Sequence, residues 1–279
     1  MNTYLSRFDA MADKAAAQVI AQYSTSFSLA VRTLPKPERT HIRNLYAVVR
    51  IADEIVDGTT AQANECPETA LELYEEQVLH APHHRFHTDP VLHAWARTFR
   101  ECRLNEDHVR AFFASMRADL TQTTFTKQEL DTYIYGSAEV IGLMCLDVFL
   151  RGRDTPHRSE LEDGARALGS AFQKVNFLRD LGEDSRALGR AYFNAPLDDD
   201  LKSTLTSQIT DELDRAHTAI PLLPPAARGG VAAAEALFRE LNARIAATPA
   251  AELRTTRVSV PNHKKIALTA KALANTRKP

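Results

Sequence analysis

The chain has 279 residues, 44% apolar and 25% charged, which is enough to bury a substantial core and unlike a disordered composition. With 34 Lys and Arg against 36 Asp and Glu the formal net charge is -2, which argues against a nucleic-acid binder with its basic excess. Cys66, Cys102 and Cys145 are widely spaced and the chain opens without an apolar signal core, so neither a disulfide scaffold nor a secreted protein is expected.

Helix signals dominate in chain order. Apolar positions recur at three- and four-residue steps through 9–23, 38–57, 67–80, 105–121, 127–150, 159–184, 203–219, 230–247 and 262–275. The run Leu34-Pro35-Lys36-Pro37 opens the second of these, and Pro224-Pro225 with Gly229-Gly230 is read as the break between two late ones. The most apolar stretch, Ile134 to Leu150, is interrupted by Glu139 and Asp147. A bilayer span needs about 20 largely apolar residues, so this stretch reads as a buried core helix. Alternating patterns are nearly absent, which gives an all-α fold in one helical domain over 1–279, with 1–20 and 272–279 expected to be loosely ordered.

Two helices carry ladders of oxygen ligands. Asp53 and Asp57 close the segment 38–57, with Arg50 one turn before them; Asn176, Asp180 and Asp184 repeat the four-residue spacing, with Arg179, Arg186 and Arg190 nearby. Residues four apart lie about 40° apart around a helix and share a face. With acids at 36 of 279 positions, chance gives about four or five such acidic pairs, so spacing alone proves little. Context adds weight: Leu45, Val48, Val49, Ile51, Ile55 and Val56 surround the first ladder, and Phe172, Val175, Phe177, Leu178 and Leu181 the second. If the ladders face each other, carboxylates about 5 Å apart repel by about 3 kcal/mol at an effective dielectric near 20, so a cation is expected between them. Oxygen-only ligand sets suit magnesium, with manganese as the alternative, and leave coordination positions for water and phosphate. The adjacent arginines fit either phosphate contacts or salt bridges to the aspartates.

At these residues the chain resembles the squalene and phytoene synthase family. The resemblance rests on Asp53-Glu-Ile-Val-Asp57 and on Leu168-Gly, Gln173, Asn176, Arg179-Asp180, Asp184 and Arg190-x-Tyr192. It extends to Tyr133-Ile-Tyr-Gly-Ser-Ala-Glu-Val-Ile-Gly142, to Tyr23-Ser-Thr-Ser-Phe27-Ser28, and to Arg257-Val-Ser-Val-Pro with Lys264-Lys265. It spans roughly 20–270. Three positions depart from the family pattern, Asn194 in place of proline, Glu139 in place of a small residue and Thr25 in place of a basic one, and they bear on the branch rather than the fold.

The resemblance implies an isoprenoid-synthase-type helical bundle around a central apolar cavity. It makes Asp53, Asp57, Asn176, Asp180 and Asp184 metal ligands and places Asp53, Asp57, Asp180, Asp184, Arg50, Tyr46 and Tyr133 in the catalytic set. Ser24, Ser26, Phe27, Arg50, Gln173, Asn176, Arg179, Arg257 and Lys265 become the substrate-binding set. The implied reaction is head-to-head condensation of two geranylgeranyl diphosphates through a cyclopropyl diphosphate to phytoene, with Mg2+ (or Mn2+) and without NADPH. Ionising an allylic C–O bond needs cations around the departing diphosphate and a dry, aromatic-faced pocket for the carbocation. Tyr46, Tyr133 and Phe172 are candidates for those faces. The small residues of Tyr135-Gly-Ser-Ala and Gly142 suit either room for a prenyl tail or close helix packing.

Squalene, dehydrosqualene or presqualene diphosphate synthesis from farnesyl diphosphate is the alternative within the family. A noncatalytic helical partner of a prenyltransferase is the alternative of another class, and a degenerate ladder would mark it. Chain-elongating prenyltransferases and terpene cyclases more usually show DDxxD, where this chain has DxxxD twice. Isoprenyl diphosphates are the expected partners, with no nucleic acid. The expected location is the cytoplasm, with peripheral contact at the inner face of the membrane for product release as the alternative.

Overall fold

The computed structural model describes residues 3–24, 26–187 and 197–276, and the side chains of Ser26 and of 182–187 lie outside the described set. Among the described residues there is no strand. The helices are α1 (Tyr4–Tyr23), α2 (Ser26–Arg32), α3 (Lys36–Val56), α4 (Thr59–Gln62), α5 (Pro67–His80), α6 (Pro90–Cys102), α7 (Glu106–Thr121) and α8 (Lys127–Ile134). A π-turn at Tyr135–Glu139 joins α8 to α9 (Val140–Leu150). Then follow α10 (Arg158–Ala187), α11 (Asp199–Ala219), α12 (Pro225–Ala247), α13 (Ala250–Leu253) and α14 (Asn262–Thr276).

Local chemistry sets several boundaries. The Thr3 hydroxyl accepts from the Ser6 amide and starts α1 at Tyr4, ahead of the expected residue 9; Ala12, Ala16 and Ile20 are then buried. Pro35 and Pro37 open α3 as expected. Its end is set by Gly58, whose φ of +117° is open only to a residue without Cβ, and this leaves Asp57 as the last α3-like residue beside the site.

Two elements differ from expectation. Helix α6 gives little apolar periodicity because the polar residues His93 and Thr98 form part of its buried face. The His93 ring meets Asp9 at 2.7 Å, and Thr98 meets both His41 (3.0 Å) and Asn44 (3.1 Å), in a layer shared with α1 and α3. Its start was nevertheless written in Asp89-Pro90, since the Asp89 carboxylate caps the Leu92 amide at 2.9 Å. Gly229 and Gly230, read as a break, lie inside α12, where a Cβ on Gly230 would come within 2.4 Å of the Leu34 side chain.

Residues Lys127–Leu150 form the one helical stretch, among the described residues, long and apolar enough to cross a membrane. It packs inside the bundle, with Val140, Met144, Leu146 and Val148 in the main core, as expected of a core helix. Its two interrupting acids are paired: Asp147 with Arg158 at 2.8 Å and Glu139 with Arg166 at 2.7 Å. One core joins α1, α3, α5, α6, α7 and α9, and a second joins α10 to α11, α12 and the 250–260 segment. Helix α10 runs between them, about 45 Å long at 1.5 Å per residue.

Candidate active site

One cavity of about 870 Å³ collects nearly every candidate. Ser24, Phe27, Tyr46, Arg50, Asp53, Asp57, Tyr133, Gln173, Asn176, Arg179, Asp180, Arg257 and Lys265 all line it. Asp184, Ser26 and Arg186 have side chains outside the described set, and Thr25, Arg190, Tyr192 and Asn194 lie outside the described residues altogether.

The α3 side of the cavity concentrates negative charge. Asp53 and Asp57 share a face, and Asp119 from α7 adds a third acid that acts on Asp53. Burial first, and Asp57 second, push the Asp53 carboxyl up to about 8, against the pull of Arg50. Its side chain still keeps 33% of its surface, so water and a cation can reach it. Arg50 lies 3.8 Å from both Asp53 and Asp57, bonds Glu54, and sits 4.5 Å from the centre of the Tyr23 ring. The salt-bridge reading of this arginine therefore holds in part.

On the α10 side the described carboxylate, Asp180, is already paired. Arg179 chelates Asp180 through Nε at 2.9 Å and through Nη2, and Arg257 reaches the same carboxylate at 2.9 Å. The charges acting most strongly on Asp53 are Asp57 and Arg50 from its own helix and Asp119 from α7. Among the described residues the acids acting on Asp53 are Asp57, Asp119 and Glu54 from α3 and α7, while Asp180 has two guanidiniums beside it.

Aromatic rings line the space between. The Phe27 and Tyr46 rings stack at 5.7 Å, with Ser24 against the Tyr46 hydroxyl. Tyr133 donates to the Asp119 carboxylate at 3.0 Å and its ring lies 6.1 Å from Phe177. Phe172 stacks on Phe238 at 3.6 Å. Asp119 and Phe238 had escaped the sequence reading, since each is a lone residue on a helix with no motif around it. The signal for Asp119 is its place as the one acid between Phe113 and Leu120.

Close helix packing holds at Gly142. A Cβ on Gly142 would stand 2.3 Å from the Ala165 carbonyl, so α9 and α10 touch backbone to backbone there, and Gly142 and Ala165 also face the cavity.

The residues present fit a hard divalent cation. A carboxyl that stays protonated up to about pH 8 beside a second acid is a group whose charge lacks compensation, and the donors are all oxygen. Among the described residues no three His, Cys, Asp or Glu side chains form a closed metal cage, so phosphate oxygens would have to complete the coordination.

Residues 20–264 match the profile of the squalene/phytoene synthase family. The chain belongs to that family. This family member is 35% identical over 195 residues to a phytoene synthase from Arthrospira platensis, a match covering 65% of this chain and 60% of that protein's length. It is 30% identical over 254 residues to a 15-cis-phytoene synthase from Synechococcus elongatus, covering 80% of each. In three dimensions it resembles a crystal structure of a dehydrosqualene synthase with ligand, at a TM-score of 0.79, 22% identity, and coverage of 97% and 98%. That likeness shows the all-α squalene/phytoene synthase fold.

Proposed function

We propose that this chain is a magnesium-dependent prenyltransferase that joins two geranylgeranyl diphosphates head to head, through a cyclopropyl diphosphate, to phytoene. The observation that carries the reading is a single cavity with oxygen ligands and guanidiniums on one wall and an aromatic and aliphatic interior. The phytoene synthases among its relatives favour the C40 product over squalene-type products.

The roles follow from position. Asp53 and Asp57 on α3, with Asn176, Asp180 and Asp184 on α10, would hold the metal; magnesium, or manganese in its place, supplies charge to the departing diphosphate. Arg50, Arg179, Arg257 and Lys265 bind diphosphate oxygens, and Arg179 and Arg257 exchange part of their hold on Asp180 for substrate. Ser24, Ser26, Phe27 and Gln173 position the reacting ends. Tyr46, Tyr133 and Phe172 present ring faces to the cation and exclude water. Rearrangement followed by proton loss needs no reductant, so no NADPH is assigned. A cytoplasmic location accords with the unbonded Cys66, Cys102 and Cys145, the last two pushed up to about 12 by burial.

The test is product analysis by mass spectrometry after incubation with Mg2+ and either geranylgeranyl or farnesyl diphosphate, without NADPH. Phytoene from the C20 substrate is expected. A cyclopropyl diphosphate that becomes hydrocarbon only when NADPH is added overturns the branch. A folded chain with no turnover on either substrate overturns the enzyme reading in favour of a noncatalytic partner.

A further inference from the structure

We propose that the histidines where α5 ends form a second metal site, built on His80 and His84 and suited to zinc rather than magnesium. Four of the chain's ten histidines, His80, His83, His84 and His87, crowd this one segment, and none of them lines the cavity. The His80 Nδ1 and His84 Nε2 atoms stand 3.2 Å apart, with the ring centres at 4.8 Å. Two imidazole nitrogens on one tetrahedral zinc ion, each about 2.0–2.1 Å from the metal, are themselves about 3.3 Å apart. The pair is therefore spaced as neighbouring ligands are. An ion between them replaces their hydrogen bond, and each neutral ring keeps its proton on its other nitrogen. The His83 ring lies 5.9 Å from His80, and the His87 ring 5.9 Å from His84. Among the described residues no three ligands already converge, so water, or a turn of His83 or His87, completes the coordination.

Other histidines of the chain are placed differently. His41, His93, His157 and His217 each meet a carboxylate, at 3.4, 2.7, 3.6 and 3.8 Å. Among the described residues no carboxylate comes within ion-pair distance of His80, His83, His84 or His87. The cluster thus offers neutral nitrogen donors and no acid. Such a set suits zinc, copper or nickel, whereas magnesium prefers the oxygens of the cavity.

The backbone under these rings is held from α6. Arg100 donates through Nη1 to the Pro82 and His84 carbonyls at 3.0 and 2.6 Å, and the His87 amide donates to His93 Nδ1 at 3.3 Å. The Trp95 indole anchors the last turn of α5 by donating to the Val78 carbonyl at 2.9 Å. His87 donates its Nε2 proton to the Ala81 carbonyl at 2.8 Å, which leaves Nδ1 of the neutral ring as the lone-pair nitrogen. Metal-binding imidazoles are oriented in this way, through a hydrogen bond from the nitrogen that does not face the metal. An ion held by His80 and His84 would brace the end of α5 against the segment that enters α6.

The experiment is equilibrium dialysis of the full chain against zinc, with millimolar magnesium present to hold the oxygen ligands of the cavity, followed by thermal melting. Retention of one zinc ion per chain is expected. His80 and His84 are exposed, so H80Q and H84Q should fold. Each should bind zinc at least about tenfold more weakly, since even the loss of an outer partner costs a metal site that much. Zinc should raise the melting temperature of the wild type and leave that of both variants unchanged. Turnover in magnesium should stay at the wild-type level in both. Zinc held as tightly by H80Q and H84Q as by the wild type overturns the proposal, and its loss from Asp53→Asn instead assigns the ion to the cavity. Binding without a rise in melting temperature means that the unfolded segment binds equally well, which overturns a site built by the fold. If the chain makes no hydrocarbon yet holds zinc through these two rings, the proposed reaction fails and the second site stands.

Discussion

The two ligand ladders share a spacing and differ in how their charge is held. On α3, Asp53 is crowded by Asp57 and Asp119 and its carboxyl is pushed up to about 8; on α10, Asp180 is gripped by Arg179 and Arg257. Spacing therefore fixes which side chains share a face, while neighbours from other helices fix their charge state. On the proposed reading the α3 ladder would attract a cation by its own excess of acid, and the α10 ladder would give its carboxylate to a cation as its arginines turn to a diphosphate.

Chelation is the widest break. Dialysis against EDTA should abolish turnover, with magnesium or manganese restoring it, and full activity in a verified metal-free sample would remove the metal from both ladders.

Asp53→Asn and Asp180→Asn come next, each expected to cost at least about 100-fold in turnover. Their stabilities should part company. The folded chain keeps the Asp53 proton up to about pH 8 and the unfolded chain only to about 4, so folding takes up a proton between those values and stability falls as pH rises across that window. In metal-free buffer Asp53→Asn should melt with wild type near pH 4 and above it near pH 8.5. Asp180→Asn strands two guanidiniums and should show no such gain. Identical pH profiles for the two variants would erase the distinction.

Arg50→Lys and Arg179→Lys keep the charge and lose the planar fork. Turnover lower by roughly 10-fold or more with unchanged folding is expected if these groups grip diphosphate as the C–O bond breaks. Partly exposed ion pairs are worth only about 0–1 kcal/mol, so unchanged kinetics with a lowered melting temperature would mark them as scaffold.

Gly142→Ala is the mildest. It sets a methyl group 2.3 Å from the Ala165 carbonyl and should cost about 1–3 kcal/mol by denaturant titration while moving α10 against α9. The α10 ladder should feel this more than the α3 ladder, seen as a KM increase on top of the stability loss. A neutral substitution would mean the contact opens freely.

That Asp53, Asp57, Asn176 and Asp180 would line one cavity was legible, because oxygen-bearing side chains four residues apart share a helix face. Helix α6 was not, because His93 and Thr98 are buried by pairing with Asp9, His41 and Asn44 rather than by being apolar, and periodicity counts only apolarity. Asp119 was not, because its value comes from lying beside Asp53 and Tyr133, residues distant in sequence. Glycines 229 and 230 misled for the converse reason: their absent side chains make room for Leu273 and Leu34 inside a helix, where sequence reading takes paired glycines for a break.

The π-turn at Tyr135–Glu139 works as a vernier between two helical registers. In an uninterrupted α-helix Cys145 would point about 120° away from Tyr133, and Ile141 about 80° away. One residue absorbed by the wider turn takes about 100° out of that count and brings both to within about 20° of Tyr133. That is why Tyr133, Ile141 and Cys145 can share one cavity wall. The carbonyl of Tyr133 accepts from the Ser115 hydroxyl at 3.1 Å, which ties α7 to the start of the offset. Deleting a single residue within 135–139 would leave a regular helix that keeps Tyr133, Ile141 and Cys145 on one face, whereas straightening the turn at its present length would swing Ile141 and Cys145 out of the cavity.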